Sequence, residues 1–240
     1  MNVIQSALLH KISPPRRRVG DTAPGLILLH GLGANEDDLL GLADYLDERF
    51  FIVSPRAPFP YGSNDPQGRR RLEWGGGFTW YDLMEVGRPE PKMFAESYGK
   101  LTRFLGEIVA GYPVDPAKVF LLGFSMGTMM SYSLLLTKPD LIAGVVANSG
   151  YIPEEIDLPR TEAFRGKQFQ WDKLEGKSVF IAHGIQDPVI PVQWGRRSKE
   201  LFSQTRANVL YKEYPMGHEI SEESLGDLSR WLTQRLDGVD

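Results

Sequence analysis

Gly123-Phe124-Ser125-Met126-Gly127 follows the apolar run Val119–Leu122 and precedes a helical stretch. A serine in a G-x-S-x-G turn between strand and helix is held with its hydroxyl exposed, ready to attack an electrophilic carbon. Glycine two residues to either side lets neighbouring backbone close in where a Cβ would clash. The N-terminus of the following helix, beneath the hydroxyl, favours the negative charge that such an attack develops. A serine hydroxyl still needs a base to take its proton, and the chain has four histidines. His218 follows the apolar run Val209–Tyr211 and precedes the C-terminal helical pattern, and Asp187 follows Val179–Ile181. Ser125, Asp187 and His218 thus appear in the order nucleophile, acid, base, each in a loop after a successive strand. His183 is the alternative base, and Asp172 and Asp157 are the alternative acids. Taken singly, Asp187 also reads as an Asp-Pro turn former and His218 as a surface cap. His30 reads as a residue that shapes its loop rather than one that takes a proton. The charge sink for a tetrahedral oxyanion is expected from two backbone N–H groups, those of Leu32 and Met126, each worth about 3 kcal/mol of transition-state stabilisation.

These residues need a scaffold, and short apolar runs alternating with amphipathic stretches supply one. Leu26–Leu29, Phe51–Val53, Val119–Leu122, Ala143–Val146, Val179–Ile181 and Val209–Tyr211 read as strands buried on both faces, the signature of a mostly parallel sheet. Phe94, Tyr98, Leu101, Leu105 and Ile108 share one helical face, as do Leu225, Leu228, Trp231, Leu232 and Leu236. Asn35 with Glu36-Asp37-Asp38 reads as a capped helix start, and a helix is expected from Met126 to about Thr137, stopped by Pro139. Two stretches break the alternation, at about 57–91 and 151–177, and are expected to be long loops. The fold class is α/β, with a mostly parallel central sheet, helices on both faces and a single domain over 1–240.

Composition removes several classes of function. The 240 residues include no cysteine, so thiolate nucleophiles, disulfides and cysteine-held metals are excluded. A net charge of -4 gives no basic footprint for nucleic acid, and Arg16-Arg17-Arg18 reads as a solvated loop. No apolar run reaches the roughly 20 residues of a membrane helix, and the N-terminus lacks the pattern of a secretory signal. The expected location is cytoplasmic. Gly31-Leu32-Gly33-Ala34-Asn35-Glu36 lacks the third glycine of a dinucleotide fingerprint.

His30-Gly31-Leu32-Gly33, Trp80-Tyr81-Asp82, the pentapeptide around Ser125, Asn148-Ser149-Gly150, His183 through Pro191, and Met216-Gly217-His218 occur in an order that resembles the phospholipase/carboxylesterase family of α/β-hydrolases. That group includes bacterial carboxylesterases and acyl-protein thioesterases. The resemblance implies an α/β-hydrolase fold without a large lid domain, a Ser125–Asp187–His218 triad, oxyanion amides at Leu32 and Met126, and no metal or cofactor. It implies hydrolysis of carboxylic esters or thioesters of short to medium acyl length. Lysophospholipid hydrolysis, protein deacylation and carbohydrate-ester removal are the rival activities, and a non-catalytic binding module on the same fold is the rival class. The partner is expected to be a small-molecule ester or thioester, with a homodimer left open. Trp80, Tyr81, Val189 and Met216 flank the motifs and are expected to line the substrate pocket, with Trp74 and Phe78 either covering its mouth or forming a partner surface. The acidic run 36–38 is expected to disfavour anionic headgroups there.

Overall fold

A computed structural model describes residues 2–62, 77–85, 88–153 and 169–239. Trp74 and Asp157, singled out above, lie outside the described residues. The strands are β1 (His10–Ser13), β2 (Ala23–Leu29), β3 (Phe51–Pro55), β4 (Phe59–Pro60), β5 (Phe78–Thr79), β6 (Leu83–Glu85), β7 (Arg88–Pro89), β8 (Val114–Phe124), β9 (Gly144–Asn148), β10 (Ser178–Gly184) and β11 (Asn208–Tyr214). The helices are α1 (Pro91–Gly111), α2 (Met126–Thr137), α3 (Gln193–Ser203) and α4 (Glu222–Asp237). Seven strands form one sheet in the order β1-β3-β2-β8-β9-β10-β11. Within this sheet, β1 alone pairs antiparallel, against β3.

Alternate residues of each strand point to opposite faces. Ile27, Leu29, Leu121, Val145 and Ile181 join a core completed by α1, α2 and Phe202 of α3. Leu26, Leu28, Leu122, Val146 and Phe180 join a second core, closed by Leu39 and Ala43 of a short 3-10 helix (Leu39–Tyr45) and by Leu228, Trp231 and Leu232 of α4. Each such fully buried side chain contributes roughly 1.5–3 kcal/mol. Every residue of α2 is buried, so this helix has no solvent face. Its serine hydroxyls return to its own backbone, Ser131 to the Gly127 carbonyl and Ser133 to that of Met129.

Four local expectations need correction. Val209–Tyr211, read as buried on both faces, lies in β11 at the edge of the sheet, where Leu210 is exposed and its neighbours are half-buried. Asn35 caps a turn rather than an α-helix: its Oδ1 accepts from the Asp37 N–H at 2.8 Å, and the 3-10 helix begins at Leu39. Glu36 turns inward to pair with Arg56 rather than facing solvent in a first helical turn. The stretch 57–91 is not irregular throughout. Its described parts form two short ladders, β4 with β5 and β6 with β7, and lead into α1, whose first turn is capped by Glu90.

Candidate active site

The parallel strands end on one edge, and the loops leaving β2, β8, β9, β10 and β11 converge there. That edge is where open α/β sheets gather their reactive groups. At the end of β8 the chain turns sharply through Ser125, whose φ of 53° and ψ of -117° lie in a sparsely populated region. Such backbone costs of the order of 1–3 kcal/mol and persists only where neighbours hold it. Asn148, at the end of β9, is one holder: its carbonyl accepts from the Ser125 N–H at 2.9 Å and from Thr128 Oγ1 at 2.8 Å. Its side-chain amide donates to the Gly123 carbonyl at 3.2 Å. A Cβ on Gly127 would overlap the Leu29 carbonyl, and one on Gly123 would lie 2.6 Å from the Gly127 carbonyl. The turn therefore requires glycine at both places.

Ser125 Oγ lies 2.9 Å from Nε2 of His218, and Nδ1 of His218 lies 2.7 Å from Oδ2 of Asp187. A carboxylate only accepts, so Nδ1 carries the proton and Nε2 is left to accept from the serine hydroxyl. Phe124 packs against the imidazole with ring centroids 5.0 Å apart. The Asp187 carboxylate is fully buried. Its Oδ1 is satisfied by the N–H groups of Val189 and Ile190, both at 2.8 Å, as a buried charge requires.

His183 stands beside this series and not in it. Its Nε2 donates to the Ile190 carbonyl at 2.8 Å and lies 3.6 Å from Asp187 Oδ2. Burial pushes its imidazole below the ordinary histidine range, so it stays neutral and braces the acid loop. His10 is buried on β1 with Nε2 2.8 Å from the Tyr112 hydroxyl, remote from this edge in the sheet order. Asp172, the described one of the two alternative acids, belongs to a short 3-10 turn (Trp171–Lys173).

On the other side of Ser125, the loop after β2 carries Leu32. Neither the Leu32 amide nor that of Met126, at the first turn of α2, has an acceptor among the described residues. The loop is fastened from several directions. Gly33 N–H donates to the Phe78 carbonyl and Phe78 N–H to the Ala34 carbonyl, at 2.9 and 2.8 Å. The buried Glu36 carboxylate takes two bonds from Arg56, at 2.6 and 2.5 Å, and Arg56 lies 4.4 Å from the Phe78 ring centroid. The guanidinium beside Glu36 holds its carboxyl below the usual range.

Between the two sides opens a cavity of about 530 Å³. Its walls are Leu32, Leu83, Met126, Met129, Ile190 and Trp194, with Tyr151 stacked on Trp194 at 4.8 Å and Ser125 and His218 at its base. Among the described residues that line it, Asp38 is the one carboxylate and there is no lysine or arginine.

The sequence pattern of the phospholipase/carboxylesterase family matches residues 12–236. The chain belongs to the phospholipase/carboxylesterase family. Acyl-protein thioesterase 1 of Neurospora crassa is 30% identical over 232 residues, covering 89% of this chain and 87% of its own. Acyl-protein thioesterase 1 of Kluyveromyces lactis is 25% identical over 223 residues, with 88% and 91% covered. The crystal structure of the Bacillus cereus carboxylesterase matches with a TM-score of 0.75 at 26% identity, over 95% of this chain and 94% of that one. This member of the family is a hydrolase of the serine esterase or thioesterase type. Among the described residues no helix is long and apolar enough to cross a membrane.

Of the four residues expected to line the pocket, Val189 does so. Trp80, Tyr81 and Met216 do not. Trp80 is fully buried, its Nε1–H donating to the His30 carbonyl at 3.0 Å at the start of the loop that carries Leu32. Tyr81 is buried with its hydroxyl on Met129 Sδ, and Met216 packs in the second core. Phe78 clasps the loop of Leu32 and is not among the residues of the cavity wall. The wall residues Met129, Tyr151 and Trp194 were not foreseen. Met129 lies one helical turn beyond Ser125, a spacing that a search of the helix for site-facing positions would have caught. Trp194 sits on α3, a helix the apolar pattern did not reveal.

Proposed function

We propose that this family member hydrolyses uncharged carboxylic esters or thioesters of short to medium acyl length through an acyl-enzyme on Ser125. The observation that carries the reading is the hydrogen-bonded series Ser125–His218–Asp187 at the base of an apolar cavity. Ser125 Oγ attacks the carbonyl carbon as His218 Nε2 takes its proton. The carbonyl oxygen becomes an alkoxide and receives the Leu32 and Met126 N–H groups. The intermediate then collapses, and His218 returns the proton to the departing alcohol or thiol. Water, deprotonated by the same Nε2, attacks the acyl carbon and releases the carboxylic acid and free Ser125. Asp187 holds the imidazole in the required tautomer throughout. Each step is assigned to this chain's own groups.

The substrate class rests on the wall. A cavity of this size suits a ligand of modest dimensions, and its apolar side chains suit an acyl group. Asp38, unopposed by a cation in the described lining, disfavours anionic substituents at close range. The thioesterase reading is favoured by the names of the Neurospora crassa and Kluyveromyces lactis relatives, and thioester cleavage uses the same cycle. The strained backbone at Ser125 supports catalysis over a binding module, which has no use for it.

The test is hydrolysis of p-nitrophenyl esters from acetate to palmitate, beside the corresponding acyl thioesters, by wild type and Ser125→Ala. Turnover peaking at short or medium chains, and reduced by roughly 10⁵-fold or more in the folded variant, is expected. Unchanged turnover in Ser125→Ala would overturn the assignment. A peak at palmitate would overturn the chain-length limit.

A further inference from the structure

His30 is fully buried one residue before the loop that carries the oxyanion amide, and the catalytic cycle above gives it no task. Its Nδ1 lies 2.7 Å from the Gly31 carbonyl oxygen, and its Nε2 lies 3.0 Å from the Ala57 N–H. A carbonyl only accepts and an amide N–H only donates. The ring is therefore the neutral tautomer with its proton on Nδ1, fixed from both ends. The Gly31 carbonyl and the Leu32 N–H belong to one peptide unit. In a trans peptide these two groups point in opposite directions within a rigid plane, and the chain has no cis bond among the described residues. Holding the carbonyl thus aims the N–H.

We propose that His30 is the positioning residue of the oxyanion hole, orienting the Leu32 N–H toward the reacting carbonyl by fastening the other side of its peptide plane. The inference rests on the serine-hydrolase reading. Glycine at 31 makes such a fastener necessary, because a glycine-flanked plane rotates at little steric cost. The Ala34 N–H, at 3.3 Å, is a longer second donor to the same carbonyl. Ala57 follows Arg56, whose pair with Glu36 closes the loop from the far side. Trp80 Nε1–H holds the carbonyl of His30 itself. Burial pushes the His30 imidazole below the ordinary histidine range and so preserves the neutral form.

Two variants separate aim from bulk. His30→Asn keeps a donor near the Nδ1 position, whereas His30→Gln places its amide near Nε2. His30→Gln should lose about 10²-fold in kcat, within the range seen for losing one oxyanion donor, with KM within about threefold. His30→Asn should return to within about tenfold of wild type. A trifluoromethyl ketone with the preferred acyl chain forms an alkoxide on the serine. Its Ki should rise in step with the loss in kcat/KM, while that of the secondary alcohol of the same skeleton stays within about threefold. Equal losses in both variants, or parallel losses for ketone and alcohol, would overturn the proposal. So would a wild-type ¹⁵N-histidine spectrum showing His30 as the Nε2–H tautomer or as imidazolium at neutral pH, a readout that needs no variant to fold. Wild-type turnover that survives Ser125→Ala would instead mark failure of the underlying reading.

Discussion

The two sides of Ser125 are held by different means. On the β10 side, the Asp187 carboxylate is braced mostly from within its own loop. That loop is tied to the end of β11 and the residues just after it by the Ile185 and Gln186 N–H groups, which donate to the Tyr214 and Met216 carbonyls at 2.9 and 3.2 Å. Asp187 Oδ1 takes the amides two and three residues on, the Asp187 N–H donates to the Gly184 carbonyl, and His183 reaches Ile190 seven residues along. On the β2 side, the loop carrying Leu32 is braced from afar. His30 meets Ala57 across 27 residues, Glu36 meets Arg56 across 20, and Trp80 reaches back 50 to the His30 carbonyl. In the proposed cycle, Asp187 has to hold one proton-accepting geometry, which a short turn with a buried carboxylate defines. The proposed oxyanion amide of Leu32 has instead to be aimed within a glycine-containing loop, and that takes contacts from several directions. A site can be local in one half and assembled by tertiary structure in the other.

The largest expected effect tests the local half. Asp187→Asn should leave the backbone bonds to Val189 and Ile190 intact while presenting the wrong group to Nδ1, lowering kcat by about 10⁴-fold. Steady-state kinetics on the preferred ester decides it, and a loss below about tenfold would mean that Asp187 does not orient the imidazole. Glu36→Gln tests the assembled half. It keeps the shape but halves the charge-assisted pairing, leaving Arg56 against a neutral amide. A loss of about 1–3 kcal/mol in unfolding free energy is expected, with a fall in kcat and little change in KM. A fall in stability alone would show that the clasp holds the fold without aiming the loop. Trp80→Phe should do less, removing one donor from the His30 carbonyl at a cost of about 1–2 kcal/mol. A melting curve alongside kcat measures it, and an unaltered kcat would shift the weight of the assembled half onto His30 and Glu36.

Protonation probes both halves at once. His30 and His183 are buried neutral, and burial lowers both below the ordinary value of 6.5. The unfolded chain takes up these protons more readily than the folded one. Stability should therefore be intact above about pH 6.5 and fall as pH drops below it, down through the lowered folded values. Glu36 and Asp47 are lowered too, but by Arg56 and Arg49, which favour the charged form, so their contributions to stability are present above their ordinary values of 4.5 and 3.8 and are lost as pH falls below them. Urea midpoints between pH 8 and 5 should thus be flat and then decline. A midpoint unchanged down to pH 5 would contradict the neutral, buried state of the two histidines.

The same contrast explains what could be read from the sequence. Five of the six strands that read as buried, the turn at Ser125, and the succession of Asp187 and His218 after later strands are local patterns, and apolar runs with neighbouring glycines display them. Val209–Tyr211 shows the same apolar run but forms an edge strand with Leu210 exposed, because nothing local says which strand ends the sheet. Asn35 through Asp38 displayed a helix start, yet a distant arginine at 56 drew Glu36 inward. Trp80 looked like a pocket residue because it adjoins a motif, but its indole N–H is claimed by a carbonyl 50 residues earlier. Tyr151 and Trp194 form one wall only because β9 and β10 are neighbours in the sheet. Pairings across the sheet and across loops leave no periodic trace, so one sequence carries the reactive groups visibly and their aiming contacts invisibly.

The central claim is that Ser125 is the nucleophile, and covalent capture tests it most directly. The folded wild-type chain, treated with a fluorophosphonate and then digested, is expected to carry one phosphonyl group, on the peptide containing Ser125 and on no other. Prior exposure to the preferred ester's trifluoromethyl ketone should block it, and Ser125→Ala should take up none. Stoichiometric labelling at another residue, or no labelling of folded protein, would contradict the account.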